Sequence, residues 1–316
     1  MDISRSRPPP IRTYWISNHK EARLKLFTET VLDNFDVILL QETFKTGSSR
    51  QKRLVKIAYS KGFQYSTSLS PVSFLKTLKV DGGCTILSRF PIVESGMNFY
   101  TADAVDVDKF SQKGTLFAKI ELSRGIYLFV FTTHMQASYE LNCKINCPEA
   151  LARLSQFKEI HDYIKDCQFK YKFNPDTDCC IFGGDVNVDG KGTNEMEVHS
   201  EEYLRMLSTL KGSEFEVNDL IFDSLNVHPN TYDTILKPFW AKIFKMDKEQ
   251  QCLDYLFCFK TKDLKKGKLN KNNLNLSAAE STFFFKDTKV LPFKVENRSF
   301  TQISDHFGLT TTLTFT

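Results

Sequence analysis

The chain has 316 residues, 41% of them hydrophobic and 25% charged, with a net charge of +4. That supports a large core in one or two domains, and so mild a charge does not by itself point to nucleic acid. No apolar run approaches the roughly 18–20 residues a membrane-spanning helix needs, and the N-terminus leads into prolines rather than the apolar stretch of a secretory signal.

Residues 19–35 read as a helix, with Ala22, Leu24, Leu26, Phe27, Val31 and Leu32 at its apolar positions. Asn18 and Glu21 have the spacing of a capping box. Asp36-Val37-Ile38-Leu39-Leu40-Gln41-Glu42 follows, a short apolar run suited to a strand buried on both faces. A second helix is predicted over about 51–61, then a strand at Cys84–Ser88 ended by Arg89-Phe90-Pro91. Strands near 115–122 and 126–133 are joined by the turn Ser123-Arg124-Gly125. Pro148 opens a long helix, as proline is favoured in a first turn, and Ala150, Leu151, Leu154, Phe157, Ile160, Ile164 and Cys167 recur at helical spacing. Strands at 179–182, 253–259 and 307–315 complete the pattern. With no repeat or linker, the chain reads as one α/β domain, 1–316, with two packed sheets and outer helices.

None of the eight cysteines forms a Cys-x-x-Cys pair, which argues against structural zinc. Cys84, Cys179, Cys180, Cys252 and Cys258 lie in strand-like runs and read as small core residues. Cys143 and Cys147 flank a short loop and could pair in an oxidising compartment. Asn275-Leu276-Ser277 and Asn297-Arg298-Ser299 are glycosylation sequons of a kind common by chance. Lys260, Lys262, Lys265, Lys266, Lys268 and Lys271 cluster, either as a solvated loop or as a patch for phosphate-rich surfaces.

Polar residues end several of the apolar strands. Glu42 closes the first, where an unpaired buried carboxylate would be costly, so a cation partner is expected, with a helix-capping or salt-bridged glutamate as the alternative. Hard oxygen donors with few thiolates favour magnesium or a similar ion. His134 ends Tyr127-Leu128-Phe129-Val130-Phe131-Thr132-Thr133, with a satisfied core histidine as the alternative. In Phe182-Gly183-Gly184-Asp185-Val186-Asn187, two glycines allow close approach of a ligand to the backbone, and Asp185 and Asn187 share a side if the chain is extended. A plain turn is the alternative there. Asp254, inside Cys252-Leu253-Asp254-Tyr255-Leu256-Phe257, needs a partner, and a protonated histidine is the natural one. Ser304-Asp305-His306 sets an acid and an imidazole at the start of the last strand, and histidine suits proton transfer near neutral pH. A serine-protease reading of that tripeptide is poor, because triad members meet through the fold and not as neighbours.

Leu40-Gln41-Glu42, Thr133-His134, Gly184-Asp185-Val186-Asn187, Leu253-Asp254-Tyr255 and Ser304-Asp305-His306, in this order, resemble the endonuclease/exonuclease/phosphatase superfamily of metal-dependent phosphodiesterases. His134-Met135-Gln136-Ala137, Arg7-Pro8-Pro9, Asp81-Gly82-Gly83 and Ser88-Arg89-Phe90-Pro91 are most similar to its neutral sphingomyelinase branch. The resemblance implies a DNase-like four-layer sandwich of two mostly antiparallel sheets flanked by helices. It also implies a metal-supporting Asn on an early strand, which here is short or missing; Asn18 is the nearby Asn and reads first as a helix cap.

The activity implied is hydrolysis of sphingomyelin to ceramide and phosphocholine by in-line attack of water, with Mg2+ (or Mn2+/Co2+) held by Glu42. His306 would be the general base, oriented by Asp254. His134 and Asn187 would bind phosphoryl oxygens, Asp185 would position water or leaving group, and Asp305 would complete the site. The partner expected is a membrane sphingolipid with a choline headgroup rather than nucleic acid, met by a monomer, secreted or cytoplasmic, in peripheral contact with a membrane. Phe239-Trp240-Ala241-Lys242-Ile243-Phe244 is a candidate membrane segment or an ordinary amphipathic helix. A nuclease, a soluble inositol-phosphate phosphatase and a catalytically weak membrane-binding homologue are the alternatives.

Overall fold

The computed structural model describes residues 19–69, 79–101, 104–138, 145–192, 196–233, 250–262, 283–298 and 300–315. Strand alternation explains its layers. β1 (Val37–Leu40) turns Val37 and Leu39 to one side and Ile38 and Leu40 to the other, and both sides find apolar partners. It pairs antiparallel with β4 (Thr85–Ser88), which in turn pairs with β2 (Tyr65–Ser68). The outer face of this three-stranded sheet packs on α1 (Lys20–Thr30) and α2 (Arg50–Ser60) through Phe27, Leu32, Ile38, Val55, Ala58, Phe63 and Leu87.

A six-stranded sheet lies on the inner face, in the order β10 (Phe215–Asp219), β13 (Asp254–Thr261), β9 (Cys179–Asp185), β8 (Ile126–His134), β7 (Gly114–Ser123) and β5 (Ile92–Phe99). All its pairings are antiparallel except β8 with β9. Leu116, Ala118, Leu128, Val130, Cys179, Ile181 and Leu256 meet Val37, Leu39 and Ile86 between the sheets. The opposite face carries Phe117, Phe129, Phe131, Phe182, Phe257 and Phe259 against α3 (Pro148–Lys170) and α4 (Glu201–Lys211). Phe117, Phe129, Phe131, Phe182 and Phe257 are wholly buried, and burying each such ring stabilises by roughly 1.5–3 kcal/mol. The four layers run helix, sheet, sheet, helix, the mostly antiparallel sandwich expected.

The smaller elements are β3 (Val80–Asp81) parallel to β6 (Ser111–Gln112), α5 (Leu220–Leu225), β11 (Tyr232–Asp233) paired with β12 (Gln250–Gln251), and the antiparallel pair β14 (Phe283–Leu291) and β15 (Gly308–Phe315). Phe283, Phe285 and Leu313 of the last pair join the core between the sheets.

Two local expectations change. The first helix spans Lys20–Thr30 rather than 19–35, and the chain tightens into a 3-10 turn at Leu32–Asn34. His19, in left-handed conformation, is its N-cap and makes no side-chain cap, while Glu21 pairs with Arg50 and Arg53 instead of closing a capping box. Asn18, the early strand, Cys143, the Phe239–Phe244 segment, Lys265–Lys271 and Asn275 lie outside the described residues. Cys147 is disulfide-bonded; Cys84, Cys167, Cys179, Cys180, Cys252 and Cys258 are free and buried.

Candidate active site

Strand register assembles the site. β8 and β9 run parallel with His134 beside Asp185, and β9 and β13 run antiparallel with Asp185 beside Asp254. Three adjacent strands thus place an imidazole and two carboxylates in one row at one edge of the sheet. The alternation that sends Val130, Ile181 and Leu256 between the sheets sends His134, Asp185 and Asp254 to the same side. All three are buried.

His306 enters the row from the chain just before β15. Its Nδ1 lies 2.9 Å from Asp254 Oδ2, and its Nε2 lies 3.8 Å from Asp185 Oδ2. A carboxylate only accepts, so Nδ1 carries the proton and donates it to Asp254. Asp254 is itself fixed: Oδ2 also accepts the Thr231 hydroxyl at 2.8 Å, and Thr231 Oγ1 accepts the Leu253 and Asp254 backbone N–H groups at 2.9 and 3.0 Å. Tyr232 packs its ring 5.0 Å from the imidazole and bridges His306 through the backbone. Burial pulls the His306 pKa down, but Asp254 and Asp185 overcome it and raise it well above the free value. Burial drives Asp185 the other way for an acid, up to about 7, with the nearby Asp254 charge adding to the rise and His306 opposing it.

His134 sits on the other flank of Asp185, with Nε2 3.5 Å from Asp185 Oδ2. Burial, then the positive charges of Lys113 and His306, hold its pKa well below the usual range, so it is neutral. Its Nδ1 is buried and has no hydrogen-bond partner among the described residues, a cost of about 1–3 kcal/mol if it stays unpaired.

Glu42 follows β1 with φ +56, a left-handed conformation that a non-glycine residue adopts at a cost. Gly83 makes room for it: a Cβ there would lie 3.0 Å from the Phe44 ring and 3.1 Å from Glu42 Cα. Asp81 then pins the following loop, its Oδ2 accepting Lys45 and Thr46 N–H at 2.9 and 2.8 Å. By accessible surface Glu42 is open to solvent, while protein crowds it from below. Desolvation first, and the Asp305 charge second, raise its pKa, with His306, Lys113 and Arg23 opposing. Two carboxylates within electrostatic reach of one another, Glu42 exposed and Asp305 half-buried, offer the hard oxygen donors that fit a divalent cation. Asp185, Asp254 and His306 also offer donor atoms within 4.8 Å of one another, but Asp254 Oδ2 is already engaged by His306 and Thr231.

The structure brings His134, Asp185, Asp254 and His306 into contact and sets Glu42 and Asp305 within electrostatic reach of His306. Asn187 joins them by a different route from the one the sequence suggests. The strand ends at Asp185, and Asn187 turns back at φ +55, its N–H donating to Asp185 Oδ1 at 3.0 Å and its Nδ2 to Met135 O at 3.1 Å. The two residues meet through a turn and not through extended alternation. The paired glycines are also corrected. What approaches Gly184 is protein, since a Cβ there would lie 2.3 Å from Thr133 O, and one on Gly183 would lie 2.9 Å from Leu256 Cδ1. They permit close strand packing. Ser304 Oγ accepts the His306 N–H at 3.1 Å and shapes the turn.

A supporting tier escaped the sequence reading. Gln136, wholly buried, accepts the Val105 N–H at 3.0 Å, while its own N–H goes to Gln156 at 3.1 Å. Arg153 donates to Gln136 O at 3.1 Å and Ser138 Oγ at 2.8 Å, and forms a two-pronged pair with Glu202 at 2.7 and 3.1 Å. Lys113, also buried, pairs with Asp108 at 2.9 Å and donates to Met135 O at 2.5 Å. These contacts hold the segment after His134. Arg153 had a readable signal, since it falls on the apolar face of α3 among Ala150, Leu154 and Phe157.

A base locked to an acid, beside carboxylates suited to a cation, defines a metal-assisted hydrolase. The Endonuclease/Exonuclease/phosphatase family matches residues 15–306, and the chain belongs to that family. It is 30% identical over 349 aligned positions to a sphingomyelinase of Dictyostelium discoideum, covering 90% of this chain and 73% of the relative. It is 29% identical over 239 positions to sphingomyelinase C of Bacillus cereus, covering 72% of this chain and 65% of the relative. A crystal structure of beta toxin from Staphylococcus aureus superposes with a TM-score of 0.62 at 24% identity, covering 93% of this chain and 92% of the toxin. A variant of that toxin with bound magnesium ions gives 0.59 at 22% identity, covering 93% and 92%.

Proposed function

We propose that the enzyme hydrolyses sphingomyelin to ceramide and phosphocholine. The observation that carries this reading is the His306–Asp254 pair at 2.9 Å, set against His134 and Asp185 at one sheet edge, with Glu42 and Asp305 within electrostatic reach of His306. The sphingomyelinase relatives support the choice of substrate.

In this mechanism His306 Nε2 takes a proton from the attacking water. Asp254 holds the ring by Nδ1 and stabilises the imidazolium that forms, as an acid partner does in hydrolases. The water oxygen bonds to phosphorus opposite the ceramide oxygen, whose bond to phosphorus breaks; the leaving oxygen takes up a proton from solvent, and His306 returns the proton it accepted to solvent. Neutral His134 and the Asn187 amide face the phosphoryl oxygens, where fixed donors stabilise developing charge. Asp185, held between both imidazoles, positions the water or the leaving group. Glu42, with Asp305 completing the site, would hold magnesium, a hard ion that offsets negative charge on a phosphoryl oxygen and opposes the rise in the His306 pKa.

A nuclease would draw a strand along basic groups. Lys260, the described start of the lysine cluster, lies six residues along β13 from Asp254, about 20 Å at the rise of an extended strand. That distance disfavours it as part of a substrate track into the site. The test is phosphocholine release from sphingomyelin vesicles with magnesium or with chelator, beside DNA and inositol phosphates. Release that chelator abolishes is expected. No release, with brisk cleavage of DNA or inositol phosphates, overturns the lipid assignment.

A further inference from the structure

The 3-10 turn Asp106–Phe110 beside the site is built inside out. In a 3-10 turn, side chains three apart share a face. Val107 and Phe110 are so spaced, and they are 60% and 59% exposed. The acid between them points inward. Asp108 is buried, accepts the Ala137 N–H at 2.8 Å and pairs with Lys113 at 2.9 Å. Ordinary burial preference is the reverse, with valine and phenylalanine inside and aspartate out.

Single exposed apolar residues need no explanation, but this pair is held in place by buried polar bonds. Gln136 ties Val105, just before the turn, to the segment that follows His134. The turn that carries the apolar pair is therefore tied to the segment that follows His134 through Val105 and Asp108. Lys109 adds charge between the two, its Nζ 5.4 Å from the centre of the Phe110 ring. An aromatic and an aliphatic side chain with a lysine at the same level match a bilayer boundary, where apolar groups meet acyl chains and a cation meets phosphate.

We propose that Val107, Lys109 and Phe110 form a docking face for a phospholipid surface, seating the cleft over its headgroups. The proposal rests on the reading of the substrate as a membrane lipid. It predicts that the face acts on membrane substrate alone. A double variant, Val107→Ser with Phe110→Ser, is compared with wild type by co-sedimentation with sphingomyelin–phosphatidylcholine vesicles. The same pair is assayed on those vesicles and on a water-soluble ester, p-nitrophenyl phosphocholine.

The expected result is vesicle binding and vesicle hydrolysis each reduced about tenfold or more, with turnover of the soluble ester unchanged. Unchanged vesicle binding overturns the proposal, and so does equal loss on both substrates. Phe110→Trp supplies a second readout that spares the fold: its fluorescence should shift to the blue on adding vesicles, against the background of the chain's two tryptophans. No shift overturns the proposal. If wild type binds vesicles through this face but leaves sphingomyelin intact, the docking face stands and the substrate reading fails.

Discussion

The two imidazoles that flank Asp185 share a carboxylate and a sheet edge, yet the structure sets them in opposite states. His306 has Asp254 at 2.9 Å and Asp185 at 3.8 Å, and these charges outweigh burial to raise its pKa. His134 has Asp185 alone at 3.5 Å, with Lys113 and His306 as positive neighbours, and burial wins. Burial alone therefore does not set a histidine's charge state; the second acid does. In the proposed mechanism the first ring moves a proton and the second stays neutral and donates.

Substitutions break this contrast in a graded way. His306→Ala should lower turnover of sphingomyelin about 10⁴-fold, the upper range for losing a general base, measured as phosphocholine release. Asp254→Asn should cost about 10³-fold and also move the acid limb of the pH–rate profile. Asp254 raises the His306 pKa, so removing its charge lowers that pKa. The base then stays unprotonated to lower pH, and the limb moves in the acid direction while the plateau falls. His134→Ala should cost about 10²-fold, as for a lost phosphoryl-oxygen donor, and leave the limb within a few tenths of a pH unit. A limb displaced as far as in Asp254→Asn would show that His134 shares the proton-transfer role. Thr231→Val should have the smallest effect on rate, about tenfold. It also leaves buried N–H groups unpaired, with a loss of about 1–3 kcal/mol visible in urea unfolding.

Much of the site was legible because its residues interrupt apolar strands. Glu42, His134 and Asp185 each follow a short apolar run read as a buried strand, Asp254 interrupts another, and His306 stands just before the last. Their chain order matched a known family. What was lost depends on backbone geometry and long-range contacts. A strand pattern cannot show that the chain reverses at Asn187 with positive φ, so Asn187 was placed by extended alternation. Nor can it show that Gly184 accommodates Thr133 from the next strand. Gln136, Lys113 and Thr231 are ordinary polar residues until the partners they hold are known. β5 and β14 were missed because an edge strand with Gly96 and exposed Val93 and Met97, and a strand with a bulge between Lys286 and Lys289, carry weak alternation. The apolar pattern overextends the first helix because Val31 and Leu32 continue its spacing while the backbone tightens into a 3-10 turn.

The opposite states of the two rings are observed most directly by nitrogen-15 NMR of the histidines in chelator at pH 7. His306 is expected with both ring nitrogens protonated and a titration midpoint well above that of free imidazole, and His134 neutral throughout the physiological range. A neutral His306 at pH 7, or a charged His134, would contradict that assignment.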